Sequence, residues 1–166
     1  MDGHERNSTI VVALIDTNVL VYRYDPRFPD KQQLATSLLR RGIEEDSVRV
    51  PHQAIVEFVT AVTRSLPTGE PLLSMHDACL EAEAFLSQFT VLYPNEAMLR
   101  LALRGRAAYH LSWFDAHLWA YAEYHGLEHI ISEDFQHGRM YGSVLVVNPF
   151  LPDDSAAAEQ TDKQDG

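Results

Sequence analysis

Six apolar residues in succession, Ile10 to Ile15 of the stretch IVVALIDTNVLVY, run straight into a carboxylate, Asp16. After Thr17 and Asn18 a second apolar stretch begins. A continuous, β-branched run of this kind suits a strand buried on both faces, as found in sheets that carry helices on each side. An acid at the end of such a strand is either a solvated turn or a group held on purpose at the mouth of the core.

The rest of the chain alternates in the same manner. Pro26 and Pro29 mark a loop, and DKQQLATSLLRRGIEED then predicts an amphipathic helix with Leu34, Leu38 and Ile43 on one face. SVRV predicts a short strand closed by Pro51, a residue suited to the first turn of the next helix, PHQAIVEFVTAVTR. SMHDACLEAEAFLSQF predicts a helix with Ser74 and Asp77 as its capping box, and TVLYP a strand. Asn95 caps EAMLRLALRGRAAY, and Ser112 caps WFDAHLWAYAEYHG, which ends on Gly126. EHIIS and SVLVVN complete the strands. Strands alternating with helices predict an α/β fold, a three-layer α/β/α sandwich around a mostly parallel central sheet, over residues 10–150.

The 166 residues suit one domain with a real core. Residues 1–9 are expected as a flexible N-terminal head and residues 151–166 as an acidic disordered tail. The head lacks the apolar run of a secretory signal, and nothing approaches the length of a membrane span. The single cysteine, Cys79, has no internal partner, so a cytoplasmic location is expected. Eight histidines without a tight ligand pair do not suggest a zinc site. The net charge of −11 runs against the usual profile of a nucleic-acid binder. Five acids and one lysine in residues 151–166 account for −4 of it, leaving −7 for the rest.

In such a sheet, ligands bind beyond the carboxyl ends of the strands. Asp16 follows the first strand, and Asp134 follows HIIS, with Ser132 and Glu133 between the apolar core of that strand and the acid. Glu57 lies on an otherwise apolar helix, and Asp115 near the start of another, among Trp113, Phe114, Leu118 and Trp119. Each has an ordinary reading. Asp115 can serve the helix dipole, Asp134 a turn, Glu57 the solvent and Asp16 a turn at the strand end. Together, four converging carboxylates would repel one another, and a hard divalent cation with oxygen ligands resolves that cost.

LIDTNVLVY, the glutamate of PHQAIVEFVTAV, SWFDAHLWAYAEYHG and HIISEDFQHG resemble, in order and spacing, the four acidic motifs of PIN-domain ribonucleases, above all the VapC toxins of toxin–antitoxin pairs. The resemblance covers about residues 10–150. It implies a PIN-like fold and an acidic pocket of Asp16, Glu57, Asp115 and Asp134 that binds Mg²⁺ or Mn²⁺. Asn18 and Ser132 would be its hydrogen-bonding neighbours, and Asp134 rather than Glu133 would face the metal. The implied reaction is hydrolysis of an RNA phosphodiester by metal-activated water. The implied partners are a second copy of the chain and a cognate antitoxin that places a basic side chain among the acids. The helix over residues 31–45 is the candidate dimer face.

Two basic clusters offer contacts to RNA. One is Arg100, Arg104 and Arg106; the other is Arg23, Arg27 and Lys31 interleaved with Tyr22, Tyr24 and Phe28. Both can equally be solubilising surface charge. Other functions remain open on the residues alone: a catalytically silent partner-binding module, or a housekeeping RNA-processing nuclease without an antitoxin. A haloacid-dehalogenase-like phosphatase is a further rival, but it would need a second Asp where Asn18 stands.

Overall fold

The computed structural model describes residues 10–152. The expected head, and the expected tail from residue 153 onward, lie outside them. Six strands form one sheet: β1 (Ala13–Ile15), β2 (Val48–Pro51), β3 (Thr90–Leu92), β4 (His129–Ile131), β5 (Met140–Tyr141) and β6 (Val144–Val147). Their spatial order is β3-β2-β1-β4-β6-β5. Every neighbouring pair is parallel except β5–β6, an antiparallel edge that the sequence reading did not anticipate.

Among the described residues, six helices cover the sheet: α1 (Thr17–Tyr22), α2 (Pro29–Glu44), α3 (His52–Thr63), α4 (Met75–Gln88), α5 (Glu96–Tyr109) and α6 (Trp113–Tyr124). The alternation of β1 divides the core. Leu14 packs with Met98, Ala102, Leu118 and Trp119 under α5 and α6, while Ile15 packs with Val19, Leu39, Phe58 and Phe85 under α1 to α4. These are the three layers expected. The predicted caps of Ser74, Asn95 and Ser112 are all present, each side chain accepting from the backbone N–H three residues on. Among the described residues, no helix is long and apolar enough to cross a membrane.

Three expectations need correction. The first strand begins at Ala13, not Ile10, and Ile10 and Val11 are 52% and 50% exposed. Strand β1 pairs with β2 and β4 only from Ala13 onward, so earlier residues have no ladder to join. Pro51 ends β2 and stands at the N-cap of α3 instead of inside its first turn. Most instructive is α2, which buries Ala35, Leu39 and Gly42, leaving Leu34 and Ile43 exposed. Small residues win that face because the helix lies tight on β2. A Cβ at Gly42 would sit 2.5 Å from Val48 Cγ2.

The stretch after Asp16 folds as α1, a helix that the sequence reading passed over. Asp16 is its N-cap, with the carboxylate accepting from Thr17 N at 2.6 Å. Sheet order then fixes the location of any site. From β1 the chain runs outward through β2 and β3, then returns to the other side of β1 as β4. The crevice at the carboxyl ends of β1 and β4 is therefore the switch point at which open α/β sheets bind ligands.

Candidate active site

Asp16 and the Ser132–Asp134 segment flank that crevice, one from β1 and the other from β4. Asp16 is only 7% exposed. Its Oδ1 caps α1, and its Oδ2 accepts from Ser132 Oγ at 2.5 Å and from Asn18 Nδ2 at 3.2 Å. The same Asn18 amide donates to Asp134 Oδ2 at 3.2 Å and approaches Ser132 Oγ at 3.4 Å. Ser132 Oγ in turn accepts from Asp134 N at 3.0 Å. Asp16, Asn18, Ser132 and Asp134 thus form one hydrogen-bonded unit across the switch point.

Burial holds the Asp16 carboxyl well above its ordinary range, at about 7, and the charges of Asp134 and Asp115 push it the same way. The Ser132 hydroxyl and the Thr17 N–H offset only part of that rise. Asp115 lies within electrostatic reach of Asp16, but its Oδ2 accepts from Ser112 Oγ at 2.6 Å in the capping box of α6. Asp115 thus serves the start of α6 while its charge reaches Asp16. Glu57 stands one step further out and is not among the charges that raise Asp16. Its Oε2 accepts from Thr17 Oγ1 at 3.0 Å and its Oε1 from Gln53 Nε2 at 2.8 Å.

Glu133 turns the other way. It bonds to the Lys31 ammonium and the Tyr22 hydroxyl, and the Lys31 nitrogen sits 4.5 Å from the centre of the Tyr22 ring. Asp134, by contrast, lies on the Asp16 side of the loop.

The donors at the crevice are almost all oxygen, and one of them, Asn18 Oδ1, is buried without a hydrogen-bond partner among the described residues. Among the described residues, no three His, Cys, Asp or Glu side chains come together as a group that could hold a metal ion by themselves. A closed set suits zinc; Mg²⁺ and Mn²⁺ need only one or two direct carboxylates, with waters and substrate phosphate completing the shell. The residues present therefore fit a hard divalent cation.

The family model for the PIN domain matches residues 13–142. The chain belongs to the PIN domain family. No curated protein matches it by sequence. Among solved structures, this PIN domain is similar to a chain of a toxin–antitoxin complex from Klebsiella pneumoniae, with TM-score 0.60 and 20% identity, covering 84% of this chain and 99% of that one. It is also similar to FitAcB from Neisseria gonorrhoeae, with TM-score 0.58 and 22% identity over 85% of this chain and 100% of that one. A third similar structure is VapC20 of Mycobacterium tuberculosis, a toxin that cleaves the sarcin–ricin loop, with TM-score 0.53 and 16% identity over 71% and 86% of the two chains.

Within the PIN domain, sequence reasoning passed over two residues. Thr17 ties Glu57 to the Asp16 cap, and Gln53 ties Glu57 to Phe114 O at 3.2 Å, next to Asp115. Thr17 lies inside the quoted motif; Gln53 had only its helical spacing of four from Glu57 as a signal. In the cluster around Arg23, several of the groups are paired within the chain. Arg27 is paired with the buried Asp25, Lys31 with Glu133, and Tyr24 donates to Glu81 while packing on Phe58. Tyr22 is packed against Phe28 and Phe150. The Tyr22 and Tyr24 rings are thus held within the fold, while Phe28 stays exposed. In the other cluster, Arg100 pairs with Glu96 and Arg106 donates to Leu111 O.

Proposed function

We propose that this PIN domain is a Mg²⁺- or Mn²⁺-dependent ribonuclease, and that it is the toxin of a toxin–antitoxin pair. The observation that carries the reading is the buried Asp16 carboxylate, joined to Asp134 through Asn18 and Ser132, with no basic side chain among the described residues bonded to any of the four. Such a group is expensive to ionise in the protein alone and is stabilised by a cation. Asp16 and Asp134 would hold the metal, with Asp115 and Glu57 completing the acidic rim. When bound, the ion supplies charge to neutralise a phosphate and acidity to activate water for attack at phosphorus.

The chain's own residues prepare the site. Ser132 and Asn18 donate to Asp16 and fix its orientation, and Asn18 holds Asp134 beside it. Thr17 and Gln53 hold Glu57 at the rim. The net charge of −11 makes a cation the more necessary, because an RNA phosphate would otherwise meet only carboxylates here. The similarity to chains of toxin–antitoxin complexes and to an RNA-cleaving toxin supports the choice of RNA and of an antitoxin partner. A basic side chain from that antitoxin, set among the acids, would replace the metal's charge and switch the site off. A homodimer working in the cytoplasm completes the proposal.

The test is cleavage of a mixed cellular RNA pool by the purified chain with Mg²⁺, with Mn²⁺ and with EDTA, alongside Asp16→Asn. Metal-dependent cleavage that disappears in the variant is expected. Cleavage that persists in EDTA or in Asp16→Asn overturns the assignment.

A further inference from the structure

Beside the acidic crevice lies a second feature that no carboxylate chemistry explains. A cavity of about 360 Å³ opens next to Glu57 and is walled by His52, Pro94, Trp113, Phe114, His117 and Tyr121. Its rings are held but not covered. Phe114 is 64% exposed and Trp113 38% exposed, both in the first turn of α6. The edge of His117 props the Trp113 ring at 4.4 Å between centres, and His52 is backed by Tyr93 at 5.6 Å. Leaving large aromatic faces open to water is costly, and here they surround one hollow.

The neighbourhood says what belongs there. Glu57 and Val56 also line an adjoining cavity of about 510 Å³ that carries Arg64, together with Arg27, whose guanidinium is paired with Asp25. Moving across Glu57, a chain would pass from the Arg64 guanidinium, suited to phosphate, into rings suited to flat aromatic faces. Single-stranded RNA has that alternation of anionic backbone and stacking base, and aromatic stacking with basic contacts is how proteins hold it. An apolar peptide would use the rings but gain nothing from Arg64.

We infer that the cavity between His52, Trp113, Phe114 and His117 is a nucleobase-stacking subsite, which holds one base of a single-stranded RNA beside the candidate metal pocket. The inference rests on the ribonuclease reading for its substrate, and Glu57 and the Gln53–Phe114 hydrogen bond couple the two places. Gln53 thereby positions the first turn of α6 against the acidic rim. The subsite makes cleavage depend on an unstacked base next to the scissile phosphate, and so disfavours duplex RNA.

The test measures binding of the full chain, with Mg²⁺, to a fluorescent 2′-O-methyl RNA decamer of mixed sequence, whose integrity is checked on a gel after each titration. The control is a decamer of the same backbone without bases. Trp113→Ala, Phe114→Ala and Phe114→Leu are compared with the wild type; the leucine variant keeps apolar bulk but removes the stacking face. Expected is about tenfold weaker binding of the base-bearing decamer in each variant, with the base-free decamer bound equally weakly by all four proteins. Equal binding of the base-bearing decamer by wild type and Phe114→Leu overturns the subsite, as does equal binding of the two decamers by the wild type, or no binding at all. Cleavage of the cellular RNA pool separates the two readings. Base-dependent binding without cleavage removes the nuclease and keeps the subsite; cleavage with ring-independent binding does the reverse.

Discussion

Glu133 and Asp134 are neighbours on one loop, yet they belong to regions that treat charge in opposite ways. On the Glu133 side, the protein supplies the counter-charge itself. Lys31 and the Tyr22 hydroxyl bond to the carboxylate, and the ammonium rests against the rings of Tyr22, Phe28 and Phe150. On the Asp134 side, Asn18 donates to the carboxylate and Ser132 Oγ accepts from the backbone N–H, and both residues also bond to a second acid, Asp16. The first arrangement closes a structure. The second leaves negative charge for something outside the chain to neutralise, and it lies at the switch point of the sheet.

The contrast breaks most sharply in catalysis. Asp134→Asn should lower kcat/KM for RNA cleavage by about 100-fold or more, while Glu133→Gln should change it by no more than about threefold. Initial rates on one RNA substrate at saturating Mg²⁺ decide it. Equal losses in the two variants would mean that both acids face the pocket and that the division of the loop is wrong.

A second difference appears in stability without metal. Asp16 ionises near 3.8 when unfolded and near 7 when folded. Below about pH 4 the group is protonated in both states and costs nothing. Between pH 4 and 7 the unfolded chain has released the proton and the folded one has not, so stability falls as pH rises, and the full cost is present above 7. Asp16→Asn removes that dependence and keeps a competent N-cap. Urea unfolding in EDTA should show the variant more stable than wild type at pH 8, by on the order of 3 kcal/mol, with the gap closing towards pH 4. A gap that is independent of pH would sink the explanation.

Metal should reverse that penalty, and with the same pH dependence. Because the ion needs the deprotonated carboxylate, Mn²⁺ should raise the midpoint of thermal unfolding at pH 8 and have a much smaller effect at pH 5.5. An excess of about 100 times Kd corresponds to roughly 2.7 kcal/mol. Scanning calorimetry with and without Mn²⁺ measures it, and Asp16→Asn should show no such shift. Lys31 and Glu133 provide the contrast, since their pair is complete without metal.

How much of this could be read from the sequence follows from the range of each interaction. The caps at Ser74, Asn95 and Ser112 were legible because donor and acceptor lie three residues apart. The sheet was legible because buried parallel strands have continuous apolar runs, and the acid ending the first of them pointed to the crevice. The packed face of α2 was not, because it is built on small residues, Ala35 and Gly42, and Gly42 is chosen for closeness to Val48 rather than for hydrophobicity. Nor could periodicity separate Glu133 from Asp134. The choice depends on Lys31, 102 residues earlier in the chain, and only the resemblance to a family motif favoured Asp134 in advance.

The smallest expected effect tests the closed side of the loop by itself. Lys31→Met keeps much of the apolar stem that lies against Tyr22 and Phe150 but removes the charge that holds Glu133. The two side chains are 32% and 21% exposed, so solvent screens the pair, and the loss of the ion pair together with the cation–π contact should be about 1–2 kcal/mol. Urea unfolding gives the number, and Glu133→Gln combined with Lys31→Met gives the coupling, which should be smaller than the sum of the single effects. The informative measurement is then activity. Glu133 freed from Lys31 is one more negative charge next to Asp134, so Lys31→Met should shift the Mg²⁺ dependence of cleavage several-fold, and Glu133→Gln should restore it. Restoration would show that Lys31 serves the site by keeping Glu133 out of it. A shift that survives Glu133→Gln would instead make Lys31 a direct contact to RNA, and the two sides of the loop would no longer be separate regions.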